Sequence, residues 1–273
     1  MTTPPLVSVV VPTKDSGRTI ERCLRSIRSQ THPAVEVIVV DNHSTDATWD
    51  VAQRLADTAI RAGPERSAQR NAGIAAASGA YVLWIDSDME LPPDVVADAV
   101  RTAQQADAVA VFIGETTIGD GYWTACRALE RQCYLGEVRI ESPRLVRRDY
   151  FEQHGGFLPS LAGTEDAELR SRMLEDGSVL ARAEAMILHD EGRLTLSGVA
   201  RKRFYYGRGL PEYRRRHPGA VGAQVGATLG ALARHWRDLA RRPALGAGVV
   251  VLRAAEAAAY VAGAAAGRAA RRS

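Results

Sequence analysis

Two carboxylates one residue apart, Asp86 and Asp88, follow the apolar run Tyr81–Ile85. We expect that run to be a buried strand, which would hold both side chains at a rigid strand end. Neighbouring carboxylates there repel each other and lose hydration, so a cation or several hydrogen-bond donors must compensate them. Mg²⁺ or Mn²⁺ carrying a diphosphate would do so, because such ions take few carboxylates and leave other positions to phosphate oxygens and water. A helix cap or a solvated loop is the alternative for an isolated Asp-x-Asp.

Two further polar clusters stand at predicted strand ends. Residues 6–11 and 35–40 are apolar, β-branched runs that are typical of strands buried in a parallel sheet. The first run leads to Thr13–Asp15, and the second leads to Asp41–Asp46. Helical patterns alternate with these runs, which indicates a doubly wound α/β domain whose ligands bind at the carboxyl ends of the strands. The three polar clusters are therefore expected to line one crevice.

The loop after the first predicted strand lacks the glycine patterns that bind phosphates. Neither G-x-G-x-x-G nor G-x-x-x-x-G-K-[ST] occurs there, which argues against a dinucleotide dehydrogenase or a P-loop NTPase. Ser16 is instead predicted to cap the helix that follows. The phosphates of a bound nucleotide would therefore depend on side chains and a metal.

Charge and cysteine content narrow the class of protein. A formal net charge of +3 over 273 residues argues against a nucleic-acid coat, and no nucleic-acid partner is expected. The cysteines Cys23, Cys126 and Cys133 are odd in number and lack metal-ligand spacing, which predicts reduced thiols in a cytoplasmic protein. The first residues show no basic segment followed by an apolar core, so a secretory signal is not expected.

Four blocks of the sequence resemble, in order and spacing, the family 2 glycosyltransferases of the GT-A fold. These blocks are Val7–Asp15, Val37–Asp46, Ala68–Gly73 and Ile85–Asp88. The resemblance implies an α/β GT-A fold, that is, a Rossmann-like, doubly wound and mostly parallel sheet flanked by helices. It extends over about residues 6–196, so we expect a catalytic, nucleotide-sugar-binding domain at 1–196 and a helical C-terminal region at 197–273.

The resemblance also implies which side chains bind the donor. They are Pro12, Thr13, Asp15, Asp41, Arg70, Asn71, Asp86 and Asp88. Asp41 would accept a hydrogen bond from the base, and Asp88 would bind Mg²⁺ or Mn²⁺. Lys14 stands where the family often has Asn, and Asn42 where a second Asp is common, so the base and the sugar stay open. A plain pair on a helix surface is the alternative for Arg70 and Asn71.

Two later polar positions complete the predicted chemistry. Glu165 and Asp166 fall in the first turn of a predicted helix, where the helix dipole stabilises carboxylates and capping is one interpretation. The resemblance implies instead that Asp166 is the general base of an inverting transfer, with retention left open. Such a base is needed because an acceptor hydroxyl becomes a good nucleophile only as its proton leaves. His189, after an apolar run at 185–188, is by resemblance a further metal ligand or a contact to the diphosphate; a hydrogen bond that fixes the loop is the alternative.

The region 197–273 is basic, partly aromatic and then rich in alanine. Aromatic residues beside basic ones suit an anionic lipid surface or a pyrophosphate-bearing acceptor. The stretch 244–267 is mostly apolar, but Arg253 and Glu256 interrupt it, so a membrane-spanning helix is not expected. We expect helices that lie on the inner face of the cell membrane, pack on the catalytic domain or form an oligomer interface.

Together these patterns predict a metal-dependent, inverting glycosyltransferase. It would move a sugar from a nucleoside diphosphate sugar to a hydroxyl acceptor, with a polyprenyl-linked acceptor as one option. A nucleotidyltransferase of related fold is the alternative enzyme, and it would release pyrophosphate rather than a nucleoside diphosphate. A membrane-surface binding protein without activity is the alternative outside enzymes.

Overall fold

The computed structural model describes residues 3–161 and 163–270. Two predicted segments lie partly outside these residues. They are the N-terminus, for which no secretory signal is expected and whose first two residues are not described, and the region 197–273, whose last three residues are not described. By its internal contacts the chain divides into two compact units that interleave along the sequence. The sheet unit comprises Met1–Glu115, Pro143–Pro159 and Leu174–Asp190, and the helical unit comprises Thr116–Ser142, Ser160–Met173 and Glu191–Ser273. The division into 1–196 and 197–273 stays a prediction.

The sheet unit is built on an eight-stranded sheet. In chain order its strands are β1 (Val7–Thr13), β2 (Val35–Asp41), β3 (Thr58–Arg61), β4 (Tyr81–Trp84), β5 (Met89–Glu90), β6 (Ala110–Ile118), β7 (Pro143–Arg147) and β8 (Leu180–Asp190). Their order across the sheet is β3-β2-β1-β4-β7-β6-β8-β5. The pairs among β1 to β4 are parallel, whereas β4 with β7, β6 with β7, and β5 with β8 are antiparallel. The sheet is therefore mixed rather than mostly parallel. The sequence does not predict this difference, because buried apolar strands have similar sequences whether they pair in parallel or antiparallel.

The helices of the chain alternate with these strands and then form a C-terminal group. They are α1 (Ile20–Arg28), α2 (Thr48–Leu55), α3 (Arg66–Ala76), α4 (Val95–Ala106), α5 (Tyr122–Tyr134), α6 (Arg148–His154), α7 (Glu165–Glu175), α8 (Leu196–Gly207), α9 (Leu210–Arg216), α10 (Ala220–Arg234), α11 (Trp236–Arg241) and α12 (Pro243–Ala270). The predicted C-terminal helices are confirmed, except that residue 235 divides the predicted helix 222–239 into α10 and α11.

Helix α1 shows how the sequence determines the core. Ile20, Leu24 and Ile27 recur at helical spacing and are buried against the strands. Burying each such side chain stabilises the fold by about 1.5–3 kcal/mol. Every residue of β1 is buried, as expected for a central strand that is covered on both faces.

Ser16 does not cap α1, contrary to the prediction. The helix begins at Ile20, and the Ser16 carbonyl accepts hydrogen bonds from the backbone N–H groups of Thr19 and Ile20. The Ser16 hydroxyl donates to the Lys14 carbonyl at 3.1 Å and lies 2.8 Å from the Ser87 hydroxyl. The side chain therefore links the loop after β1 to the residue between the two aspartates, a tertiary contact that local spacing does not reveal.

Glu36 joins the amino ends of three neighbouring strands. Its carboxylate accepts hydrogen bonds from the Ser8 hydroxyl, from the Ser78 N–H at 2.7 Å and from the Ser78 hydroxyl at 2.8 Å. It also accepts one from the Gly79 N–H at 3.1 Å. Burial raises the pKa of Glu36, but these hydrogen bonds outweigh burial and lower it below 4.5. A Cβ at Gly79 would lie 2.6 Å from the Leu6 carbonyl oxygen, so this junction accepts only glycine.

The helical unit contains a buried ion network formed by Arg127, Glu130, Arg203, Arg253 and Glu256. Arg127 on α5 contacts Glu130 and Glu256, each at 2.5 Å. Arg203 on α8 donates to Glu256 at 2.8 Å, and Arg253 lies 2.5 Å from Glu130. The network thus joins α5, α8 and α12, and both charged residues that interrupt the apolar stretch of α12 belong to it. The backbones of α8 and α12 also touch, since a Cβ at Gly207 would lie 2.3 Å from the Tyr260 carbonyl oxygen.

We expect Glu36→Gln to lower the free energy of unfolding at neutral pH by about 1–3 kcal/mol, because the charged acceptor of several hydrogen bonds is lost. The folded-state pKa of Glu36 is lowered, so the stabilisation is full above about pH 4.5 and disappears as the pH falls further. Urea unfolding at neutral and acidic pH measures this effect. Glu152→Gln, at an exposed position, is the matched control, and equal unfolding midpoints for the two variants at neutral pH would contradict the assignment.

Candidate functional site

The carboxyl ends of β1 and β2 bring two of the predicted polar clusters together. Thr13 lies opposite Asp41 in the register of the two strands. Beyond β1, the Asp15 N–H donates to the Ser44 hydroxyl at 2.8 Å, and the Asp15 carboxylate accepts from the Thr45 N–H at 2.8 Å. Asp15 adopts a left-handed backbone with φ of 46°, which Asp tolerates better than most residues. The first two clusters therefore form one continuous surface.

Asp41 is fully buried at the end of β2. Its carboxylate accepts hydrogen bonds from the Ser44 N–H at 3.0 Å and from the Ser44 hydroxyl, which closes the loop after the strand. Arg61, which also stacks at 4.3 Å on the Trp49 ring, approaches the same carboxylate with Nε at 3.8 Å. Pro12 is buried within β1 beside these groups. The predicted contact between Asp41 and a base stays a prediction.

Asp86 is compensated by arginines from two elements, α3 and β7. Its Oδ1 lies 3.5 Å from Nη2 of Arg70 and 3.9 Å from Nη1 of Arg66. Burial alone would raise the pKa of the Asp86 carboxyl. Positive charge from Arg66, Arg144 and Arg70 outweighs burial and holds this pKa well below its usual range. Asp86 is therefore ionised at neutral pH, with its charge already matched by the protein.

Asp88 has a different environment, made by His189 and Glu115. His189 lies opposite Met89 in the antiparallel pair of β5 and β8, and its Nε2 is 3.5 Å from Oδ1 of Asp88. On the other side of the ring, Nδ1 of His189 lies 2.9 Å from Oε2 of Glu115. Burial lowers the pKa of His189, but the two carboxylates outweigh it and raise that pKa to about 9. The Asp190 N–H donates to the Asp88 carbonyl at 2.8 Å, which fixes the two segments together.

The pair of Asp88 and His189 fits a divalent metal ion. Oδ1 of Asp88 is buried and faces Nε2 of His189 at 3.5 Å, which is too long for a strong hydrogen bond. Glu115 engages Nδ1 of His189, so Nε2 is the nitrogen that could bind an ion once the proton that the raised pKa keeps on the ring has been released. No set of three or more His, Cys, Asp or Glu side chains in the described part of the chain could hold a metal. Donor phosphates and water would supply the other ligands, as they commonly do for Mg²⁺.

The sequence interpretation missed Glu115 and Arg144. Arg144 on β7 is buried, and its Nε donates to Oε1 of Glu115 at 3.1 Å. Arg144 therefore holds the carboxylate that in turn orients His189. A charged residue inside or directly after an apolar strand is the available signal, because Arg and Glu are rarely buried without a partner.

Arg70 and Asn71 both contact Phe157, within the sheet unit. The Arg70 guanidinium lies 5.1 Å from the centre of the Phe157 ring. The Asn71 side chain accepts from the Phe157 N–H and donates to the Phe157 carbonyl, each at 2.8 Å. Asn71 thus pins the backbone after Gly156, and its predicted contact with a donor stays a prediction.

Asp166 belongs to the helical unit, unlike the residues described above. It lies in the first turn of α7, after the buried Glu165. Leu169 and Met173 are fully buried on this helix, as the amphipathic pattern predicts. Burial lowers the pKa of Arg170, one turn further along, while the charge of Asp166 acts in the opposite direction. The role of Asp166 as a base stays a prediction.

Comparison with known proteins gives partial sequence matches and structural neighbours. GlyG, a glycosyltransferase of Streptococcus pneumoniae serotype 4, is 32% identical over 114 residues, which cover 39% of this chain and 38% of GlyG. EpsJ, an uncharacterized glycosyltransferase of Bacillus subtilis strain 168, is 37% identical over 152 residues, which cover 53% of this chain and 41% of EpsJ. The chain therefore spans less than half the length of either relative.

Among solved structures, the mannosyltransferase PcManGT from Pyrobaculum calidifontis, in complex with GDP-Man and Mn²⁺, has a TM-score of 0.64 at 22% identity. The match covers 97% of this chain and 87% of that one. TarS 1-349 of S. aureus, in complex with UDP-GlcNAc, has a TM-score of 0.58 at 17% identity and covers 97% and 92% of the two chains. At these identities the likeness shows the fold, and the predicted GT-A fold is confirmed.

The sequence also matches a family model over residues 8–155, which is more than half of the chain. The model carries the description Glycosyl transferase family 2, and the matched residues extend from within β1 to beyond β7 and include the two aspartates. The predicted resemblance is therefore confirmed, and the chain belongs to glycosyl transferase family 2.

Proposed function

We propose that the chain transfers a sugar from a nucleoside diphosphate sugar to a hydroxyl acceptor. The observation that carries this proposal is the contrast between Asp86, which arginines compensate, and Asp88, whose buried oxygen lies 3.5 Å from His189. A metal and diphosphate site needs such a carboxylate that the protein leaves available. Structural neighbours solved with GDP-Man and Mn²⁺, and with UDP-GlcNAc, support a donor of this class.

The candidate site residues of the sheet unit have separate roles in this proposal. Asp88 and His189 would hold Mg²⁺ or Mn²⁺, which when bound neutralises charge on the departing nucleoside diphosphate. Glu115 fixes the His189 ring. The lowered pKa of Asp86 keeps its carboxylate ionised, so it can accept a hydrogen bond from a ribose or sugar hydroxyl. The surface formed by Thr13, Asp15 and Asp41 would receive the nucleoside.

We assign the general base to Asp166. Its carboxylate would take the proton of the acceptor hydroxyl as that oxygen bonds to the anomeric carbon. The bond between the anomeric carbon and the diphosphate oxygen breaks in the same step, and its electron pair leaves with the nucleoside diphosphate. Attack opposite the leaving group inverts the anomeric centre. The products are a glycosylated acceptor, a nucleoside diphosphate and one proton.

For the acceptor we propose a lipid-linked hydroxyl compound, such as a polyprenyl-linked one, at the inner face of the cell membrane. Helix α8 and the turn that follows it support this proposal through basic and aromatic side chains that lie together. The Arg208 guanidinium lies 5.5 Å from the Phe204 ring and 5.8 Å from the Tyr205 ring, and the Lys202 ammonium lies 5.9 Å from the Tyr206 ring. Such pairs suit anionic phosphate groups next to an apolar chain.

We expect Asp88→Asn to lower kcat for transfer by about 10²–10³, because the charge that holds metal and diphosphate is lost. Release of nucleoside diphosphate, measured with a panel of nucleotide sugars and Mn²⁺, gives the rate. Asp107→Asn is the matched control, since Asp107 is almost fully exposed and Asn tolerates its left-handed backbone. Release of pyrophosphate instead would favour a nucleotidyltransferase, and full activity of Asp88→Asn would refute the metal assignment.

Replacing Glu115 by Ala should weaken Mn²⁺ binding by about 10–100-fold, because the His189 ring loses the acceptor that orients it. Titration of the protein with Mn²⁺ alone, followed by electron paramagnetic resonance, measures the affinity without any transfer. Glu115→Gln retains an acceptor for Nδ1–H and should lose less. The exposed Glu152→Ala serves as the control. Unchanged Mn²⁺ affinity in Glu115→Ala would remove Glu115 from the site.

Asp166→Asn should lower kcat by about 10²–10⁴ and leave donor affinity nearly unchanged, since the base acts on the acceptor. Asp120→Asn, an exposed carboxylate in the same unit, is the control. Nuclear magnetic resonance of the product determines its anomeric configuration. A retained configuration, or wild-type kcat in Asp166→Asn, would exclude Asp166 as the base of an inverting transfer.

A further inference from the structure

Helix α12 turns Arg253 and Glu256 inward, beside the buried Val249 and Leu252, and exposes three valines on its outer side. Glu256 and Arg253 point into the buried ion network, and Glu256 is only 4% exposed. By contrast, Val250 is 66% exposed, Val251 47% and Val261 64%. A helix between a protein core and water normally carries polar or charged residues on its outer face, and α12 has none at its exposed positions from 247 to 265. The surroundings that suit α12 are therefore apolar on its outer side.

The outward side of α12 is continuous and uncharged. Its exposed positions between residues 247 and 265 are Ala247, Val250, Val251, Ala254, Ala257, Ala258, Val261, Ala262 and Ala265. They recur every three or four residues and so form one stripe along the helix. At 1.5 Å per residue the stripe is about 27 Å long. Exposed apolar surface of this extent commonly marks a protein or membrane contact.

Neighbouring helices of the same unit also expose large apolar side chains. On α10, Val225 is 54% exposed and Leu229 is 64% exposed, and on α11 Trp236 is 59% exposed. Helix α10 contains no charged residue before Arg234, its last residue. We call Val225, Leu229 and Trp236, together with the stripe on α12, the outer apolar face.

Arginines stand at both ends of the stripe. Four arginines against one aspartate occupy residues 234–242 just before α12, and Arg268 is exposed near its other end. The Arg241 side chain is 77% exposed, and Asp238 lies 3.2 Å from it. An uncharged stripe between arginines, with a tryptophan nearby, is complementary to the acyl chains and anionic headgroups at a bilayer surface.

We propose that the outer apolar face docks on an anionic phospholipid bilayer, with α12 lying along the surface rather than crossing it. Pro243–Ala269 is the one helix in the described residues that is long and apolar enough to span, with a mean hydropathy of 1.5. A spanning position would nevertheless carry Arg253 and Glu256 into hydrocarbon, together with their partners on α5 and α8. The docking itself does not depend on the proposed function; only its biological purpose, access to a lipid-linked acceptor, rests on that proposal.

The test is flotation of the full chain with vesicles of phosphatidylcholine, with or without phosphatidylglycerol, in the absence of donor and acceptor. The wild-type chain should float with vesicles that contain phosphatidylglycerol. Val250→Asp with Val261→Asp should weaken this binding by about tenfold or more, since two charges would enter the interface. Arg241→Gln with Arg242→Gln should weaken it by about fivefold per arginine. Val179→Asp, at an exposed valine of the other unit, should bind like wild type.

Val250→Ser with Val261→Ser adds no charge and should weaken binding in the same direction, which separates lipid contact from misfolding. Failure of the wild-type chain to float, or equal flotation of the valine variants, would overturn the proposal. Light scattering without vesicles tests for dimers of the chain. A dimer that the valine variants abolish would assign the outer apolar face to a second copy of the chain and would also overturn the proposal. Because no sugar is transferred in these assays, their outcome is independent of the proposed activity.

Discussion

Charge held at the carboxyl ends of buried strands is the constraint on which the site depends. A desolvated carboxylate costs several kcal/mol unless a partner compensates it. At Asp86 the partners are guanidinium groups, among them Arg70 from α3. At Asp88 the partner is the ring of His189, which we propose binds the same metal ion through Nε2. One short motif thus contains two carboxylates with different partners, and the difference comes from the elements around them.

The antiparallel half of the sheet supplies these partners. Because β7 runs against β4, its first residues lie beside the carboxyl end of β4, which brings Arg144 towards Asp86. Because β8 runs against β5, its last residues lie beside Met89, which brings His189 to Asp88. The parallel half carries Thr13 and Asp41 at its strand ends, and the antiparallel half supplies Arg144 and His189, which are partners of Asp86 and Asp88.

The predictable parts of the fold and site are those encoded locally. Apolar runs and helical spacing predicted β1, β2, β4 and the helices between them, and the polar residues at strand ends predicted that Thr13–Asp15 and Asp41–Asp46 come together. Glu115 and Arg144 were not predicted, because they act through strand pairings that no local pattern specifies. Ser16 was wrongly predicted as a cap because its hydroxyl is used by a distant loop. The family resemblance, rather than any spacing, contributed His189 and Asp166.

The interleaving of the two units has a consequence for the nascent chain. Synthesis proceeds from the N-terminus, and domains generally fold as soon as their residues are available. The sheet unit, however, draws its last strand from Leu174–Asp190, after two segments of the helical unit have already been made. Until β8 has been synthesised, β5 lacks the strand with which it pairs, and Asp88 lacks its neighbour His189. On the ribosome the sheet would thus present an open edge, and the pair of Asp88 and His189 would be among the last features of this unit to form.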